Sequence, residues 1–352
     1  MTGRKTELER QEERLLLTAK VPEQLFLAPP GPLWPDDCHA WRFMSKQQVR
    51  PPDLADCAPQ GTKVTDLDPR LRWHGHMRTV ASPAVNTALR LVAEQLRANR
   101  ERRLGKPPMV LEGPRGTGKS AVLQAIGVHW ERQFERLYAR DENRIPVILL
   151  SVPAPVRGTV RNWPGVFARF LGQGRDSGDP TESVIIAMRN ARTLLVLIDG
   201  VEQLRTAAEA EQTFAYLDHI NASTGATFIY CGRQAQAIVD PLLRDEEAVL
   251  EKGEARRGAH TVMRTGRLGF DDEGVRRFRR VVTLFDRDLR LHEHQSGDLV
   301  ALSEYLHTRS RGYMTHLSQL VCQGAQKAIR EGTERLTVEL LEELPYGRTV
   351  EL

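Results

Sequence analysis

The residues best placed for chemistry lie in one short segment that follows a strand-like apolar run. Met109-Val-Leu-Glu leads into Gly113-Pro-Arg-Gly-Thr-Gly-Lys-Ser120, and a helical pattern then runs from Ala121 to Tyr138. The segment matches G-x-x-x-x-G-K-[ST] between a strand and a helix, where backbone N–H groups and the helix N-terminus surround an anion. We therefore predict a phosphate loop that binds a nucleoside triphosphate together with Mg²⁺.

Two side chains of this loop have distinct predicted roles. Lys119 reaches the outer phosphates, and the Ser120 hydroxyl coordinates Mg²⁺. The residues predicted to surround the nucleotide are Gly113, Pro114, Arg115, Gly116, Thr117, Gly118, Lys119, Ser120 and Ala121.

A further candidate for metal binding follows a predicted buried strand. Leu194-Leu-Val-Leu-Ile198 is a continuous apolar run that ends in Asp199. Ligands bind at the carboxyl ends of parallel strands, so we expect the Asp199 carboxylate to reach the Mg²⁺ held by Ser120. The predicted metal ligands are therefore Ser120 and Asp199.

Alternating apolar runs and helical patterns predict the scaffold that positions these residues. Besides the strands at 109–111 and 194–199, buried strands are predicted at 146–152, 226–231 and 261–265. Between them, helices are predicted at 162–171, 181–192, 206–221 and 238–243. This alternation predicts an α/β fold in three layers, with one parallel sheet between two layers of helices.

From Asp271 onward the pattern is helical only, which predicts a small all-helical region after the sheet. Its helices are expected at 272–291, 298–310, 314–331 and 337–344. The first of them carries four arginines largely off its apolar face, namely Arg276, Arg277, Arg280 and Arg287. Such a face is either solvated or in contact with nucleic-acid phosphates, and the sequence leaves both interpretations open.

The N-terminal part of the chain differs in composition from the rest. A charged helical stretch at 6–20 is followed by dense prolines between Pro22 and Pro59, which predict extended chain with short turns. This arm is either a solvated tail or a docking segment for a partner or a neighbouring subunit. After it, Ser82 and Pro83 begin a predicted helix that ends near Arg103.

Composition and charge limit the classes of protein to which this chain can belong. The 352 residues are 40% hydrophobic and carry a formal net charge of +4, which permits contact with DNA without requiring it. No apolar run reaches the ~20 residues of a membrane helix and the N-terminus is too charged for a signal peptide, so we expect a cytoplasmic protein that does not bind membranes. A zinc site drawn from Cys38, His39, Cys57, His74 and His76 matches no ligand spacing, and ordinary loop residues are the favoured interpretation.

The order of these elements resembles an AAA+ ATPase and, more narrowly, the TniB family of transposition ATPases, which are relatives of TnsC. The resemblance extends over residues 71–344. It rests on the segments 73–83, 113–120, 191–199, 226–232, 263–266, 305–312 and 317–320. It implies a Pro-rich arm at 1–70, a P-loop AAA+ core at 71–268 and a helical lid at 269–352.

The resemblance also implies a function. Members of this family bind ATP and Mg²⁺, assemble as homo-oligomers on DNA and recruit a transposase or integrase. The nucleotide would lie between subunits, where Arg256 or Arg257 is a candidate for a neighbour's phosphates; a surface role for both arginines is the alternative. Within the lid, no arginine occupies Gly312–Leu317, where a sensor residue would be expected.

One departure from the family pattern concerns hydrolysis. In AAA+ proteins the aspartate that ends the strand is followed by a glutamate that positions the attacking water, whereas here Asp199 is followed by Gly200. Glu202 is the candidate substitute, and the predicted catalytic residues are Lys119, Asp199, Glu202 and Arg257. We expect slow or absent turnover unless Glu202 reaches the water. A nucleotide-gated scaffold without useful turnover and a switch ATPase of signalling or defence are the alternative functions.

Overall fold

Five parallel strands form the sheet on which the computed structural model is built. The structure describes residues 35–46, 50–62, 64–65, 67–75, 83–102, 106–139, 141, 143–155, 161–173, 180–239 and 260–345. The strands are β1 (Met109–Glu112), β2 (Val147–Ser151), β3 (Leu195–Asp199), β4 (Thr227–Gly232) and β5 (Thr261–Arg264). Their order across the sheet is β2-β3-β4-β1-β5, and every neighbouring pair is parallel. The predicted α/β architecture is confirmed.

The strands are apolar because both faces of the sheet are covered. Side chains of β1 to β4 are buried except at the carboxyl ends, where Glu112, Ser151 and Asp199 are at least partly accessible. The helices of the core, in chain order, are α3 (Pro83–Arg100), α4 (Lys119–Leu137), α5 (Trp163–Phe170), α6 (Pro180–Asn190), α7 (Ala207–Thr224) and α8 (Ala235–Val239). Polar groups are therefore gathered along one edge of a buried sheet, which is the edge where the candidate site lies.

Most predicted elements of the core are present with small shifts at their ends. Asn162 and Thr206 accept hydrogen bonds from backbone N–H groups at the starts of α5 and α7, which explains why those helices begin there. The short helix expected at 238–243 begins three residues earlier, at Ala235. The rest of this predicted helix falls within residues 240–259, which lie outside the described part of the chain.

The helical region after the sheet has a hydrophobic cluster of its own. Its helices are α9 (Asp272–Asp288), α10 (Asp298–Ala301), α11 (Ser303–Ser310), α12 (Met314–Glu331) and α13 (Val338–Glu342). The prediction of a single helix at 298–310 is wrong. Leu302, at φ −84° and ψ 6°, separates two shorter helices there. We call residues 271–345 the lid.

The predicted arm needs a correction at residues 38–46. They form a helix, α1 (Cys38–Lys46), where extended chain was expected. No proline lies between the described Asp36 and Lys46, and the helix buries Trp41 completely against the core. Trp41 Nε1 donates to Glu131 Oε2 of α4 at 3.0 Å, so the far end of the phosphate-loop helix is covered by this segment.

A second N-terminal helix packs against the lid. In α2 (Pro69–Gly75), Trp73 Nε1 donates to the Asp288 carbonyl at 2.9 Å, and the Leu71 carbonyl accepts from Gln326 of α12 at 3.0 Å. Arg70 is fully buried between Asp68 and Glu334, with nitrogen-to-oxygen distances of 2.8 and 2.9 Å. The N-terminal part of the described chain thus contacts both the core and the lid.

Two searches for particular features cover the described residues only. None of their helices combines the length and apolar character needed to cross a bilayer. Within the same residues no three metal-binding side chains come together, and Cys38 and Cys57 lie in separate regions, the former in the sheet's core cluster. His76, the last member of the zinc set, lies outside the described residues.

Candidate functional site

The predicted phosphate loop connects β1 to α4, as the sequence indicated. Gly118 is the N-cap of this 19-residue helix; it has a left-handed backbone at φ 87° and no side chain that could cap the helix. The N–H groups of the first helical turn have no carbonyl partner within the helix and they carry its positive dipole end. The start of α4 is therefore built to bind an anion, and Lys119 and Ser120 are its first two residues.

The loop is folded back on itself and is tied to the edge strand. Lys119 Nζ and the Thr117 hydroxyl both donate to the Pro114 carbonyl, each at 2.8 Å. The Thr117 hydroxyl also lies 2.8 Å from the Thr265 hydroxyl, and a Cβ at Gly113 would come within 2.2 Å of the Thr265 carbonyl. The loop shape is thus set by Thr265, the residue after β5, as well as by the loop's own sequence.

Asp199 lies at the carboxyl end of β3, opposite Cys231 of β4. Burial raises the pKa of the Cys231 thiol well above its ordinary value, and the charge and hydrogen bond of Asp199 raise that pKa further. Lys119 lowers the pKa of the same thiol and Glu202 raises it. The structure therefore brings Lys119, Asp199 and Glu202 together at one edge of the sheet, around a buried thiol.

The residues after Asp199 turn sharply away from the strand. Gly200 adopts φ 86°, and a Cβ there would lie 2.6 Å from Gln203 Nε2. Residues 201–203 form one turn of 3₁₀-helix that carries Glu202 over to the end of β4, where Glu202 Oε2 accepts from the Arg233 N–H at 3.2 Å. Glu202 is thus exposed on the site edge, with one oxygen engaged by backbone.

The lid covers the phosphate loop through the N-terminus of α12. The Thr315 N–H donates to the Gly116 carbonyl at 3.1 Å. Tyr313 and Met314 approach the same loop, since a Cβ at Gly116 would lie 3.6 Å from Tyr313 and one at Gly118 would lie 3.8 Å from Met314. The lid position that lacks an arginine therefore contacts the loop with backbone and uncharged side chains.

A cavity of about 750 Å³ lies beside the loop, between the core and the lid. Its wall includes apolar residues of α3 and β5, among them Val85, Ala88, Leu91 and Val262. Thr117, Gly118 and Ala121 of the loop open into the same space. An apolar recess next to an anion site suits a planar base joined to a phosphate chain.

Comparison with solved structures identifies this architecture. The chain is similar to the Aeropyrum pernix ORC1 protein in complex with DNA, at 17% identity and a TM-score of 0.52 over 77% of this chain and 67% of that one. It is also similar to the Aeropyrum pernix ORC2 protein in its ADP form, at 12% identity and a TM-score of 0.50 over 73% of this chain and 66% of that one. The chain has the AAA+ fold. No protein-family model and no curated protein matches the sequence.

Within the AAA+ fold, the residues at the site edge fit a nucleotide with Mg²⁺. Ser120 is exposed in the first turn of α4, and Asp199 is partly accessible at the end of β3. Mg²⁺ in such sites takes one or two protein ligands together with phosphate oxygens and water. A full set of protein ligands is therefore not needed, which agrees with the absence of a three-residue metal cluster among the described residues.

Sequence reasoning about this AAA+ site was incomplete in two places. It did not foresee the lid contact at Gly116, because a backbone hydrogen bond between residues so distant in sequence has no local pattern. It also treated the arginines of α9 as one group, whereas Arg277 and Arg280 line the cavity. No sequence signal separates them, because Arg280 lies four residues from Arg276 and seven from Arg287, which is also the spacing of one helical face. The predicted residue Arg257 lies outside the described residues.

Proposed function

We propose that this protein binds ATP and Mg²⁺ at the phosphate loop. The observation that carries the proposal is the uncapped N-terminus of α4, with Lys119 in its first turn and Asp199 on the same edge of the sheet. Lys119 exchanges the Pro114 carbonyl for phosphate oxygens, and this exchange costs little because its hydrogen bond is exposed. Ser120 and Asp199 hold the metal, which supplies neutralising charge to the phosphates.

We further propose that nucleotide state controls assembly on DNA and recruitment of a transposase, as in the TniB family that the sequence resembles. The AAA+ fold supports a nucleotide-controlled assembly. On α9, Arg276 and Arg287 are exposed over 63% and 72% of their side chains, each in a surface ion pair, with Glu273 and with Asp288, that is weak enough for DNA phosphates to replace. The similar ORC1 structure contains DNA. Arg257 or Arg256 remains our candidate for a residue that reaches the nucleotide of a neighbouring subunit.

Hydrolysis is expected to be slow in this proposal. Gly200 replaces the carboxylate that would follow Asp199, and Glu202 is partly committed to the Arg233 N–H. Bound ATP would then act as a long-lived assembly signal. The missing carboxylate also favours a second candidate function, a nucleotide-gated scaffold that binds ATP without useful turnover. A switch protein of signalling or defence would likewise bind ATP and hydrolyse it slowly.

Three measurements test the proposal. Titration of the protein with MgATP should show binding that requires Lys119. Sedimentation and gel-shift assays should show self-association and DNA binding that increase with ATP, and the DNA affinity should fall steeply with salt because phosphate contacts release counterions. A monomer that ignores DNA with and without ATP would exclude the transposition role and leave the switch interpretation.

A matched set of variants tests the DNA surface. Arg276→Gln and Arg287→Gln should each weaken DNA binding and lower the salt slope by about 1. Arg90→Gln is the control, because Arg90 is similarly exposed at 68% but lies on α3 of the core. Equal losses in all three variants would mean that binding follows net charge and not this face of α9.

A further inference from the structure

A row of side chains crosses the sheet where its strands end, and Asp199 lies in this row. Asp199 of β3 is in register with Ser151 of β2 on one side and with Cys231 of β4 on the other. Residues in register on neighbouring parallel strands point to the same face of a sheet. Ser151 is exposed to solvent, whereas Cys231 is completely buried. Cys231 is therefore the neighbour of Asp199 whose position is fixed by burial.

The main chain around Asp199 is held by both neighbouring strands. The Val152 N–H donates to the Asp199 carbonyl at 2.9 Å, and the Gly200 N–H donates to the Cys231 carbonyl at 2.8 Å. These bonds fix the backbone but not the carboxylate, because the last side-chain bond of an aspartate rotates over a broad range. A carboxylate that binds a metal is usually held by a further hydrogen bond.

The Cys231 thiol supplies such a bond. It donates to the Asp199 carboxylate, and the same thiol also lies within the electrostatic influence of Lys119 in the phosphate loop. A thiol is a weak donor, but a charged acceptor and the exclusion of water both strengthen the bond. Mg²⁺ takes oxygen ligands, so the sulfur itself is not expected to bind it. The role left to the thiol is to hold Asp199.

We propose that Cys231 is a positioning residue of the metal site, whose thiol holds the Asp199 carboxylate in the orientation in which it binds Mg²⁺. This rests on the proposed function, because it assumes that Asp199 binds the metal that accompanies ATP. Loss of a contact that orients a metal ligand typically lowers metal affinity by about 10- to 100-fold. Because a thiol is a weak donor, the effect of removing it lies near the lower limit of that range.

Calorimetric titration with ATP, once with Mg²⁺ and once with EDTA, tests the proposal on the full chain. The ratio of the two affinities measures how much the metal contributes to ATP binding. Cys231→Ala removes the donor and should lower this ratio about tenfold. Cys231→Ser keeps a donor, so its ratio should stay within about threefold of the wild-type value. The ATP affinity in EDTA should be unchanged in both variants.

Cys38→Ala is the matched control. Cys38 is another buried cysteine of the sheet's core cluster, but it lies on α1, away from the metal site. The same substitution there should leave the ratio unchanged. Melting temperatures show whether each variant is folded during the titration. If Cys231→Ala is not, Cys231→Val takes its place, since valine also lacks a donor.

The outcomes distinguish this inference from the function on which it rests. If the wild type binds no ATP, or binds it equally well with Mg²⁺ and with EDTA, the proposed site is wrong and the inference with it. If the wild type needs Mg²⁺ but the variant without a donor keeps its ratio, only the inference is overturned. Equal losses in Cys231→Ser and Cys231→Ala would also overturn it, because the donor would then have no effect. A loss of the same size in Cys38→Ala would trace the effect to the core and overturn it as well.

Discussion

The site edge has two halves, the phosphate loop after β1 and the turn after β3. Only the loop has every part that its function needs. The loop has its full set of parts: glycine backbone, an uncapped helix start, Lys119 and a lid contact at Gly116. The turn after β3 keeps Asp199 but continues with Gly200, which supplies no carboxylate. The nearest acidic substitute, Glu202, lies at the end of β4.

This difference shows that nucleotide binding and ATP hydrolysis depend on separate parts of the same edge of the sheet. Anion binding uses the backbone groups at the start of α4 together with the charge of Lys119, and the loop keeps both. Hydrolysis needs a side chain of the right type at one position, and a single substitution removes it. A protein can therefore keep the first ability when the second is weak.

The largest effect is expected at Lys119. Lys119→Ala should weaken MgATP binding by about 3 kcal/mol or more, roughly 100-fold, because it removes a charge-assisted contact to the phosphates. Its melting temperature should not change, since the hydrogen bond of the lysine to the Pro114 carbonyl is exposed to solvent. Lys106→Ala is the control: Lys106 Nζ holds the Gly225 carbonyl at 2.8 Å, so this variant should lose stability and keep ATP binding. Unchanged ATP affinity in Lys119→Ala would contradict the assignment of nucleotide binding to this loop.

The next effect concerns the far end of the phosphate-loop helix. Burial raises the pKa of Glu131 to about 7, and the hydrogen bond from Trp41 opposes that shift only in part. The folded state therefore holds a proton that the unfolded state releases from about pH 4.5 upward, so the free energy of unfolding should fall by about 3 kcal/mol between pH 4.5 and pH 7. Glu131→Gln should remove this slope. Denaturant titrations at several pH values measure it, and an equal slope in both proteins would contradict the assignment.

A smaller effect is expected at Gly200, the position where a glutamate would supply the carboxylate that the turn after β3 lacks. Gly200→Glu would restore the missing carboxylate in sequence, but a side chain at φ 86° costs about 1–2 kcal/mol and its Cβ would require the amide end of Gln203 to move aside. We expect Gly200→Glu and Gly200→Ala to lose stability without gaining ATPase activity. Gly172→Ala, at φ 69° with nothing within 4 Å, should lose slightly less stability than Gly200→Ala, and the difference measures the cost of moving the Gln203 side chain. Rapid turnover in Gly200→Glu would show that the turn can adjust.

The smallest effect is expected at Glu202. Glu202→Gln should lower the already slow ATPase rate by less than about tenfold, because a positioned general base contributes ~10²–10⁴-fold and this carboxylate is partly held by Arg233. Steady-state phosphate release, with and without DNA, measures the rate. A loss of 100-fold or more from a fast wild type would show that Glu202 has replaced the missing glutamate and that the two halves of the edge are equally complete.

Local sequence patterns predicted the parts of the fold that depend on local chemistry. The parallel strands, the phosphate loop and the lid helices follow from apolar runs, glycine spacing and helix caps such as Asn162 and Thr206. The helix at Cys38–Lys46 was missed because proline density nearby outweighed its own pattern. Contacts such as Trp41 with Glu131, or Thr315 with Gly116, join residues far apart in the chain, and no local rule contains them.

The N-terminal helices add contacts between the core and the lid. The chain passes from α1 on the core to α2 on the lid, returns to α3 on the core, and reaches the lid again after β5. In α2, Trp73 donates to the Asp288 carbonyl and Arg70 pairs with Glu334, both in the lid. Displacement of the lid would therefore have to carry α2 with it or break these two buried contacts.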